Sequence, residues 1–471
     1  MTFNQVWRLL AAVAATAVWG IVAARWTPRG PLTIPQALWS IGISAAVGLA
    51  AGWSIRSRWS MLAAPAAFVV AVELTRLGVR GPSVDAPHLS PFGIIALLTG
   101  RGVHGVLSVL PLGLGAAYGA GLTRRGRPAS RIRRVGTAVL TAALAAVTVA
   151  VAIPAHTTPP GPGGVAELTS VDVGGYRLGL MIRGDDATAP VLLFIPGAPG
   201  GTELGSMRRH LAALERHFVV VTLDRRGGGS SYPALEPTTA VIPDSAVADT
   251  LAVTDHLRDR FNHEKIYLLG HSGGSIISVL AVQRHPDKYH AYIGTGQAVH
   301  LPTSDRIFYH DILAWAQATG RDDLARQLTD QGPPPYPDVY RYEPIMTYAP
   351  EAYAYDHSPN AQGATDITID VPEYTLLQKI HTLNAILDTW SALYPRMQHI
   401  DLRHTVQRLE VPAYFIQGGH EMRGLAQPFT QWYEQLQAPR KHQEIFETAG
   451  HRAMFEQPDR FVAVMNQILD R

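Results

Sequence analysis

The sequence predicts a chain in two parts. An all-α transmembrane region of about five helices is followed by an α/β domain with a mostly parallel sheet. Apolar runs near bilayer-spanning length fill residues 1–154, and short apolar runs alternate with helical patterns over residues 165–471. Between them, residues 155–164 read AHTTPPGPGG, a Pro/Gly linker without apolar periodicity. We therefore place the domain boundaries at residues 154 and 165.

The charged residues follow the same division. The net charge of the 471 residues is only +2, but residues 1–154 contain 14 Arg, no Lys and two acidic residues, Glu73 and Asp85. The remaining residues carry 26 positive and 36 negative side chains. The absence of Cys excludes a disulfide framework, a Cys-ligated zinc site and a cysteine nucleophile. The arginines do not form one face of a soluble domain, so we expect no nucleic-acid partner.

Five apolar runs approach the roughly 20 residues that a membrane-spanning helix needs. They are Val6–Ala24, Ala37–Ile55, Met61–Leu77, Gly102–Leu122 and Val135–Pro154. Glu73 and Arg76 weaken the third run but lie i,i+3 on one helix face, where they can pair. Pro91–Gly100 is apolar but too short to span alone. Four or six spans, a signal peptide in residues 1–25, or buried helices of a soluble domain are the alternatives.

The arginines also predict the orientation. Nine of them fall on one side, six in the connection Thr123–Arg134 and the others at Arg8, Arg56 and Arg58. The opposite side holds four: Arg25, Arg29, Arg80 and Arg101. Because cytoplasmic loops are enriched in Arg and Lys, this distribution favours a cytoplasmic N-terminus. With an odd number of spans, we expect a multi-pass protein of the cell membrane with an extracytoplasmic C-terminal domain.

In the C-terminal part, alternation of apolar and polar residues around Gly174-Gly175 predicts a hairpin of Ala166–Val173 and Tyr176–Arg183. Fully apolar strands are predicted at Val191–Ile195, Phe218–Leu223, Ile266–Leu269, Ala291–Gly294 and Ala413–Gln417, and helices at Ser206–Arg216 and Ala246–Phe261. Such apolar strands alternating with helices indicate a parallel sheet covered on both faces. Its active site is expected at the carboxyl ends of the strands.

A candidate nucleophile follows one of these strands. Gly270-His271-Ser272-Gly273-Gly274 is a G-x-S-x-G pattern between the strand Ile266–Leu269 and a helical segment, Ile276–Gln283. The pattern alone is weak evidence, but a strained strand-turn-helix that exposes a serine requires small flanking residues. We therefore predict Ser272 as the nucleophile. His271 is expected to point away from Ser272 if the turn is tight.

The partners of such a serine follow it in the order acid, then histidine. A strand-like run, Glu444–Glu447, precedes Gly450-His451, and the strand Ala413–Gln417 precedes a turn that contains Glu421. His451 is the predicted general base and Glu421 the acid that orients it. The predicted oxyanion donors are the backbone N–H groups of Gly273 and Ala198, the latter in the Pro/Gly loop after Val191–Ile195.

Together these motifs resemble an α/β-hydrolase, and more narrowly the proline iminopeptidase group. The matching segments are Pro196–Gly201, Asp224-Arg225-Arg226-Gly227-Gly228-Gly229-Ser230, Gly270–Ser275, Gly418–Glu421 and Gly450-His451. In that group, His-Gly-Gly-Pro-Gly-Gly, Asp-Gln-Arg-Gly-x-Gly-x-Ser, Gly-Gly-Ser-Trp-Gly-Ser and Ser-Gly-His stand at four of these places. Here Pro196 replaces His, Ala198 replaces Gly, Gly273 replaces Trp and Glu421 replaces Asp. The resemblance implies the α/β-hydrolase fold over about residues 165–471.

The resemblance also implies a helical cap, inserted at about residues 298–410. An aminopeptidase must hold a protonated amine, so cap carboxylates are candidate substrate-binding groups. Glu343, Glu351 and Glu373 are the candidates, although a solvated acidic face is the simpler interpretation. The cap tyrosines either line an apolar pocket or pack the cap.

The favoured hypothesis is a membrane-anchored serine hydrolase, an aminopeptidase of proline iminopeptidase type that cleaves N-terminal residues from peptides. Its expected partners are a small peptide or ester substrate and the lipid bilayer. No metal or organic cofactor is implied. An esterase or lipase that acts on acyl or lipid esters is the second hypothesis. A non-catalytic membrane sensor or binding module is the third, but it would not need a nucleophile, base and acid in this order.

Overall fold

The computed structural model describes residues 3–57, 59–123, 130–197, 200–356 and 368–470. Its contacts divide the chain into two compact units. The helical unit comprises Met1–Pro154 together with Thr375–Asn384. The α/β unit comprises Ala155–Tyr374 and Ala385–Arg471. Arg58 and residues 124–129, which belong to the predicted cytoplasmic side, lie outside the described residues.

Within the described residues, four helices of the helical unit are long and apolar enough to cross a membrane. They are α1 (Phe3–Trp26), α2 (Ile34–Ile55), the 32-residue helix Pro91–Leu122 and α6 (Arg131–Ala152). A further apolar helix, α3 (Ser60–Thr75), is shorter. The helix Pro91–Leu122 consists of α4 (Pro91–Leu97), two π-helical turns and α5 (Leu110–Leu122). At about 1.5 Å per residue, the 16 residues of α3 reach only about 24 Å, less than a hydrocarbon core of about 30 Å.

The helix that contains the fourth predicted span, Gly102–Leu122, starts earlier than predicted. The helix begins at Pro91, not at Gly102, with the Ser90 hydroxyl accepting the Gly93 N–H as its N-cap. Arg101 therefore lies inside a helix and not in a loop. Its guanidinium pairs with Glu73 at 3.1 Å, and Glu73 also pairs with Arg76 as the i,i+3 spacing predicts. The ion pair lets the helix continue through a charged residue.

The α/β unit contains one eight-stranded sheet in the order β1-β2-β4-β3-β5-β6-β7-β8. The strands are β1 (Val165–Val173), β2 (Tyr176–Gly184), β3 (Val191–Ile195), β4 (Val219–Leu223), β5 (Ile266–His271), β6 (Tyr289–Thr295), β7 (Ala413–Gly418) and β8 (Lys441–Phe446). The hairpin β1–β2 is antiparallel, as is the pair β2–β4, and all other neighbours are parallel. The predicted hairpin and mostly parallel sheet are confirmed.

The helices of this unit follow the strands in sequence. They are α7 (Leu204–His210), α8 (Pro243–Phe261), α9 (Ser272–Arg284), α10 (Leu301–Ala318), α11 (Asp322–Gln331), α12 (Glu343–Ala352), α13 (Leu376–Met397), α14 (Leu402–Thr405), α15 (Arg423–Gln435), α16 (Ala453–Glu456) and α17 (Pro458–Leu469). The helix predicted at Ser206–Arg216 instead ends at His210, and a 3₁₀ segment, Ala212–Arg216, follows it.

Helices α10 to α14 all lie between β6 and β7 in the chain, where the cap insertion was expected. The segment before and after Glu343 is rich in Pro and Tyr, yet it contains the helix α12. Pro344 occupies the first turn, where a helix has no use for its N–H, so the Pro-rich composition does not prevent this helix. Several cap aromatics pack on one another, with Tyr342 5.5 Å from both Trp390 and Tyr394 between ring centroids.

The chain direction across the sheet reverses at β3. From this strand the chain proceeds to β4 on one side, and it later returns to β5 on the other. In open parallel sheets such a switch point leaves a crevice at the carboxyl ends of the strands, where ligands bind. The loop after β3 and the turn after β5 meet there. Below it, fully buried residues such as Phe194, Leu269 and Ile293 form the core with the C-terminal helix α17.

Candidate active site

Ser272 lies at the sharp turn between β5 and α9. It has a left-handed backbone conformation, with φ +49°, which is uncommon for a residue with a side chain. The glycines around it make this turn possible. A Cβ on Gly274 would lie 2.2 Å from the Pro196 carbonyl oxygen, and a Cβ on Gly270 would lie 2.6 Å from Ser278 Oγ. This is the strained strand-turn-helix that the G-x-S-x-G pattern predicts.

The structure brings the three predicted residues Ser272, His451 and Glu421 together. His451 Nε2 lies 2.9 Å from Ser272 Oγ, and His451 Nδ1 lies 3.0 and 3.1 Å from the two carboxylate oxygens of Glu421. When Nδ1–H donates to Glu421, Nε2 is free to accept the hydroxyl proton of Ser272. This arrangement is suited to nucleophilic catalysis by an activated serine.

Close backbone packing positions the acid and the base. Gly418, at the end of β7, packs against the loop that carries His451, since a Cβ there would lie 2.1 Å from the Gly450 carbonyl oxygen. Gly296, with φ +50°, lies beside the His451 ring, and a Cβ there would come within 2.8 Å of Cε1. The Gly450 N–H donates to Glu456 Oε1 at 3.0 Å, which fixes the loop from its other side.

The structure describes one of the two predicted oxyanion donors, Gly273, and not the other, Ala198. Gly273 is the second residue of α9, so its N–H is among the first four of the helix, which have no intrahelical acceptor. Ala198 lies outside the described residues, so its role stays a prediction.

The backbone N–H and the backbone carbonyl of Gly197, the residue before Ala198, are both hydrogen-bonded to side chains. Its N–H donates to Glu203 Oε2 at 2.9 Å, and its carbonyl accepts from the buried Arg225 guanidinium at 2.9 Å. A Cβ on Gly197 would lie 3.0 Å from Ser272 Cβ, so Gly197 lies directly beside the predicted nucleophile. The backbone of Gly197 is therefore fixed next to Ser272.

Parts of the chain are similar to known proteins. The family described as the α/β-hydrolase fold matches residues 190–333, which include β3, the nucleophile turn and the first cap helices. The chain contains an α/β-hydrolase domain. A probable aminopeptidase of Bacillus subtilis (strain 168) is 27% identical over 308 residues, 64% of this chain and 96% of that protein. A probable proline iminopeptidase of Leptolyngbya boryana is 26% identical over 124 residues, 26% of this chain and 36% of that protein.

Solved structures also resemble this α/β-hydrolase domain. A proline iminopeptidase-related protein from Thermus thermophilus aligns with a TM-score of 0.43 and 21% identity, over 65% of this chain and 98% of that one. A proline iminopeptidase of Mycobacterium smegmatis aligns with a TM-score of 0.47 and 17% identity, over 64% and 98% of the two chains.

The α/β-hydrolase domain contains a second His–Glu pair that the motifs do not reveal. The buried His271 side chain places Nδ1 2.7 Å from Glu203 Oε2, and its Nε2 lies 3.4 Å from the His451 carbonyl oxygen. Its ring lies beside the His451 ring, with 5.2 Å between centroids. Sequence reasoning missed Glu203 because nothing in its spacing marks it. The only signal is His271 itself, a buried imidazole next to the nucleophile that requires a partner.

Electrostatics distinguish the two His–carboxylate pairs of the hydrolase domain. Burial lowers the pKa of His451, but the charge of Glu421 and its hydrogen bond outweigh burial and raise the pKa above its usual value. Burial raises the pKa of the Glu203 carboxyl, but His271, Arg452 and the Gly197 N–H together lower it to about 2. Glu203 is therefore ionised at neutral pH. Its negative charge near His451 contributes to the raised pKa of that histidine.

Tyr355, from the segment after α12, reaches the loops that carry the acid and the base. Its ring stacks on His420 with 4.6 Å between centroids, and its hydroxyl donates to Glu456 Oε2 at 2.6 Å. Glu456 in turn accepts the Gly450 N–H beside His451. His420, next to the predicted acid, is thus a packing residue of this turn.

The three cap carboxylates predicted to bind substrate occupy different environments. Glu343 begins α12 and is buried, whereas Glu351 is half-exposed and pairs with Arg321. Glu373 is buried and accepts from Arg208 Nε at 2.9 Å and Thr157 Oγ1 at 3.1 Å. Two of the three thus already have cationic partners, and a substrate-binding role for any of them stays a prediction.

Within the described ranges, no group of three or more His, Cys, Asp or Glu side chains is arranged to hold a metal ion.

Proposed function

We propose that the protein is a membrane-anchored serine hydrolase that uses Ser272, His451 and Glu421 as its catalytic triad. The observation that carries the proposal is the pair of contacts made by His451, to Ser272 Oγ at 2.9 Å and to Glu421 at 3.0 Å. The left-handed backbone of Ser272 supports it, since that conformation is typical of the exposed serine of such enzymes.

In the first half-reaction Ser272 Oγ attacks the substrate carbonyl carbon while His451 Nε2 takes the hydroxyl proton. The carbonyl oxygen becomes an oxyanion that accepts from the N–H groups of Gly273 and Ala198. The imidazolium, stabilised by Glu421, then donates its proton to the leaving group as the bond to the carbonyl carbon breaks. In the second half-reaction water attacks the acyl-enzyme by the same route, and Ser272 regains its proton.

For the substrate, we propose an N-terminal residue of a small peptide, as in an aminopeptidase of proline iminopeptidase type. The support is the 27% identity to a probable aminopeptidase that this chain covers over 96% of its length. Glu421 in place of Asp leaves a carboxylate on the base, so hydrolysis is expected to survive this difference.

The catalytic proposal is tested by covalent labelling of the full-length protein in detergent. A fluorophosphonate probe is expected to label the wild type and to leave Ser272→Ala unlabelled, because the probe bonds to the activated hydroxyl. Ser170→Ala is the matched control, since Ser170 lies on the edge strand β1. It is expected to leave the rate of labelling of the folded protein unchanged. Equal labelling of Ser272→Ala and the wild type would refute the assignment.

A second candidate substrate class, acyl or lipid esters, is favoured by one observation. Glu351 and Glu373 already pair with Arg321 and Arg208, so neither carboxylate offers an uncompensated charge to a substrate ammonium group. An esterase does not need such a group.

A substrate panel on the full-length protein separates the two classes. Aminoacyl anilides, the same anilides with a blocked amino group, and short-chain acyl esters are compared with Ser272→Ala as background. An aminopeptidase hydrolyses free-amino anilides and loses at least about tenfold in kcat/KM on the blocked forms, because the lost ammonium removes an ion pair. Preference for acyl esters without discrimination between free and blocked anilides would favour the esterase.

A further inference from the structure

A cavity of about 350 Å³ lies between helices of the helical unit. Met61 from α3 and Tyr118 and Leu122 from α5 belong to one wall, and Arg133 and Arg134 from the first turn of α6 belong to the other. The cavity therefore combines an apolar surface with two guanidinium groups. Helix α6 is one of the four helices suited to cross a membrane, so arginines in its first turn are expected at the level of the lipid headgroups.

The two arginines have no carboxylate partner among the described residues. The helical unit contributes only two carboxylates from residues 1–154, Glu73 and Asp85. Glu73 pairs with Arg76 and Arg101, and Asp85 accepts the Gly81 N–H at 3.0 Å. Both are thus engaged elsewhere, so an anionic group of a ligand is free to pair with the two arginines at the cavity.

Helix α6 also leaves room for a ligand beside it. Val151 is its only buried residue in the described chain, and the contact between the Tyr118 hydroxyl and Thr141 Oγ1, at 2.8 Å, joins α5 to α6 further along the helix. Between this contact and the arginines, the helices are separated by the cavity. A ligand there would have apolar groups on one side and a negative charge near the helix start.

We propose that this cavity binds an anionic phospholipid, with the phosphate of the headgroup on Arg133 and Arg134 and an acyl chain along the apolar wall of α5. Basic pockets between membrane helices are suited to anionic headgroups, and guanidinium groups bind phosphate through paired hydrogen bonds. A zwitterionic lipid has no net charge to offer the two arginines. Free phosphate would leave the apolar wall uncovered.

The test uses the full-length protein, delipidated in a neutral detergent and titrated with phosphatidylglycerol, phosphatidylcholine or inorganic phosphate while bound lipid is counted by native mass spectrometry. We expect phosphatidylglycerol to bind at least about tenfold more tightly than phosphatidylcholine, because only it carries net charge. The preference is expected to weaken as salt rises. Equal binding of both lipids, or displacement of phosphatidylglycerol by inorganic phosphate alone, would overturn the proposal.

Three variants locate the site. R133Q/R134Q is expected to lose the preference for phosphatidylglycerol and R133K/R134K to keep most of it. Gly121→Leu is expected to weaken binding by filling the apolar part, since a Cβ at Gly121 meets no atom within 4 Å and the helix tolerates it. R25Q/R80Q removes the same charge from exposed arginines outside the cavity, and is the matched control. Unchanged binding in both R133Q/R134Q and Gly121→Leu would refute the site.

Discussion

Glu203 joins the loop after β3 to the strand that ends at Ser272. One of its oxygens accepts both the Gly197 N–H, at 2.9 Å, and a hydrogen bond from His271 Nδ1, at 2.7 Å. Both of these contacts are to groups other than the Ser272 hydroxyl. Glu203 acts instead by holding the loop that precedes the predicted oxyanion donor Ala198, so it is a positioning residue.

Replacing Glu203 by Gln is therefore expected to lower kcat by about 10- to 100-fold with little change in KM, since the loss of one oxyanion donor alone costs about 10²- to 10³-fold. It also removes a negative charge that raises the pKa of His451, so the acidic limb of kcat/KM is expected to move to lower pH. Glu167→Gln, on the edge strand β1, is the matched control. A Glu203→Gln enzyme with the wild-type pH profile would show that the residue is only structural.

The pH dependence of the wild type depends on His451, which must be neutral to accept the Ser272 proton. Because Glu421 raises the pKa of His451 above 6.5, activity is expected to fall with decreasing pH already above that value. Glu421→Gln removes the attraction, so its acidic limb moves to lower pH while kcat falls about 10³- to 10⁴-fold. Glu421→Asp retains a carboxylate and is expected to keep a raised limb. Kinetics between about pH 5 and 8 measure both effects.

At the scale of elements, helices α2 and α5 approach each other through paired glycines. A Cβ on Gly48 would lie 2.0 Å from the Leu112 carbonyl oxygen, and one on Gly119 would lie 2.0 Å from that of Leu49. Gly52 and Gly115 repeat these contacts one turn away, at 2.1 Å each. Small residues four apart on both helices are typical of close packing between membrane helices.

Alanine at Gly48 or Gly119 is therefore expected to push the two helices apart and to lower the free energy of unfolding in detergent by about 1–3 kcal/mol. Gly42→Ala and Gly136→Ala are matched controls, since a Cβ at either position meets no atom within 4 Å. They are expected to leave stability unchanged or to raise it by up to about 1 kcal/mol, because Ala favours a helix more than Gly does. Equal destabilisation in all four variants would contradict the packing argument.

The sequence predicts helices, strands and turns correctly where the residues that determine them are close together in the chain. It does not do so where a residue depends on a contact with a residue far away in the chain. The strands and the turn at Ser272 follow from apolar runs and small residues that are adjacent in the chain. For the helix Pro91–Leu122, the sequence predicts a break at Arg101. The ion-pair partner of this arginine, Glu73, lies 28 residues away in the chain, so the local sequence does not reveal it. In the site, Ser272, Glu421 and His451 follow strand ends, whereas Glu203 is defined only by the fold that brings it to His271.

At the scale of the whole molecule, arginines lie at both ends of the helical unit. The Ser54 hydroxyl donates to the Arg8 carbonyl at 3.5 Å, and Met61 lines the same cavity as Arg133 and Arg134, so these residues share one end. At the other end, Arg29 donates to Ser83 at 3.1 Å and Arg101 to the Asp85 carbonyl at 2.6 Å. Which of the two ends is cytoplasmic stays a prediction from the distribution of the arginines.

Whether the hydrolase domain lies outside the cytoplasm then depends on α3, the one short helix. Phe68 of α3 packs on Trp19 of α1 at 6.4 Å between ring centroids, and Ala64 packs near Ala12, so α3 runs parallel to α1. If α3 crosses in this direction, the number of crossings is five and α6 ends opposite the arginine-rich end. The 16 residues of α3 are short for a crossing, so the extracytoplasmic side of the hydrolase domain stays a prediction.

The absence of Cys allows a direct test of this topology, because a single introduced cysteine reports its own side of the membrane. Asp323→Cys, at a side chain 97% exposed, is expected to react with a membrane-impermeant maleimide on intact cells. Thr123→Cys, beside the arginine-rich connection, is expected to react only after the cells are permeabilised. Labelling of Thr123→Cys alone on intact cells would indicate either the inverted orientation or four crossings in which α3 does not span the membrane. If both cysteines react on intact cells, or neither does, α6 does not cross the membrane, because it is the one candidate span between the two positions among the described residues.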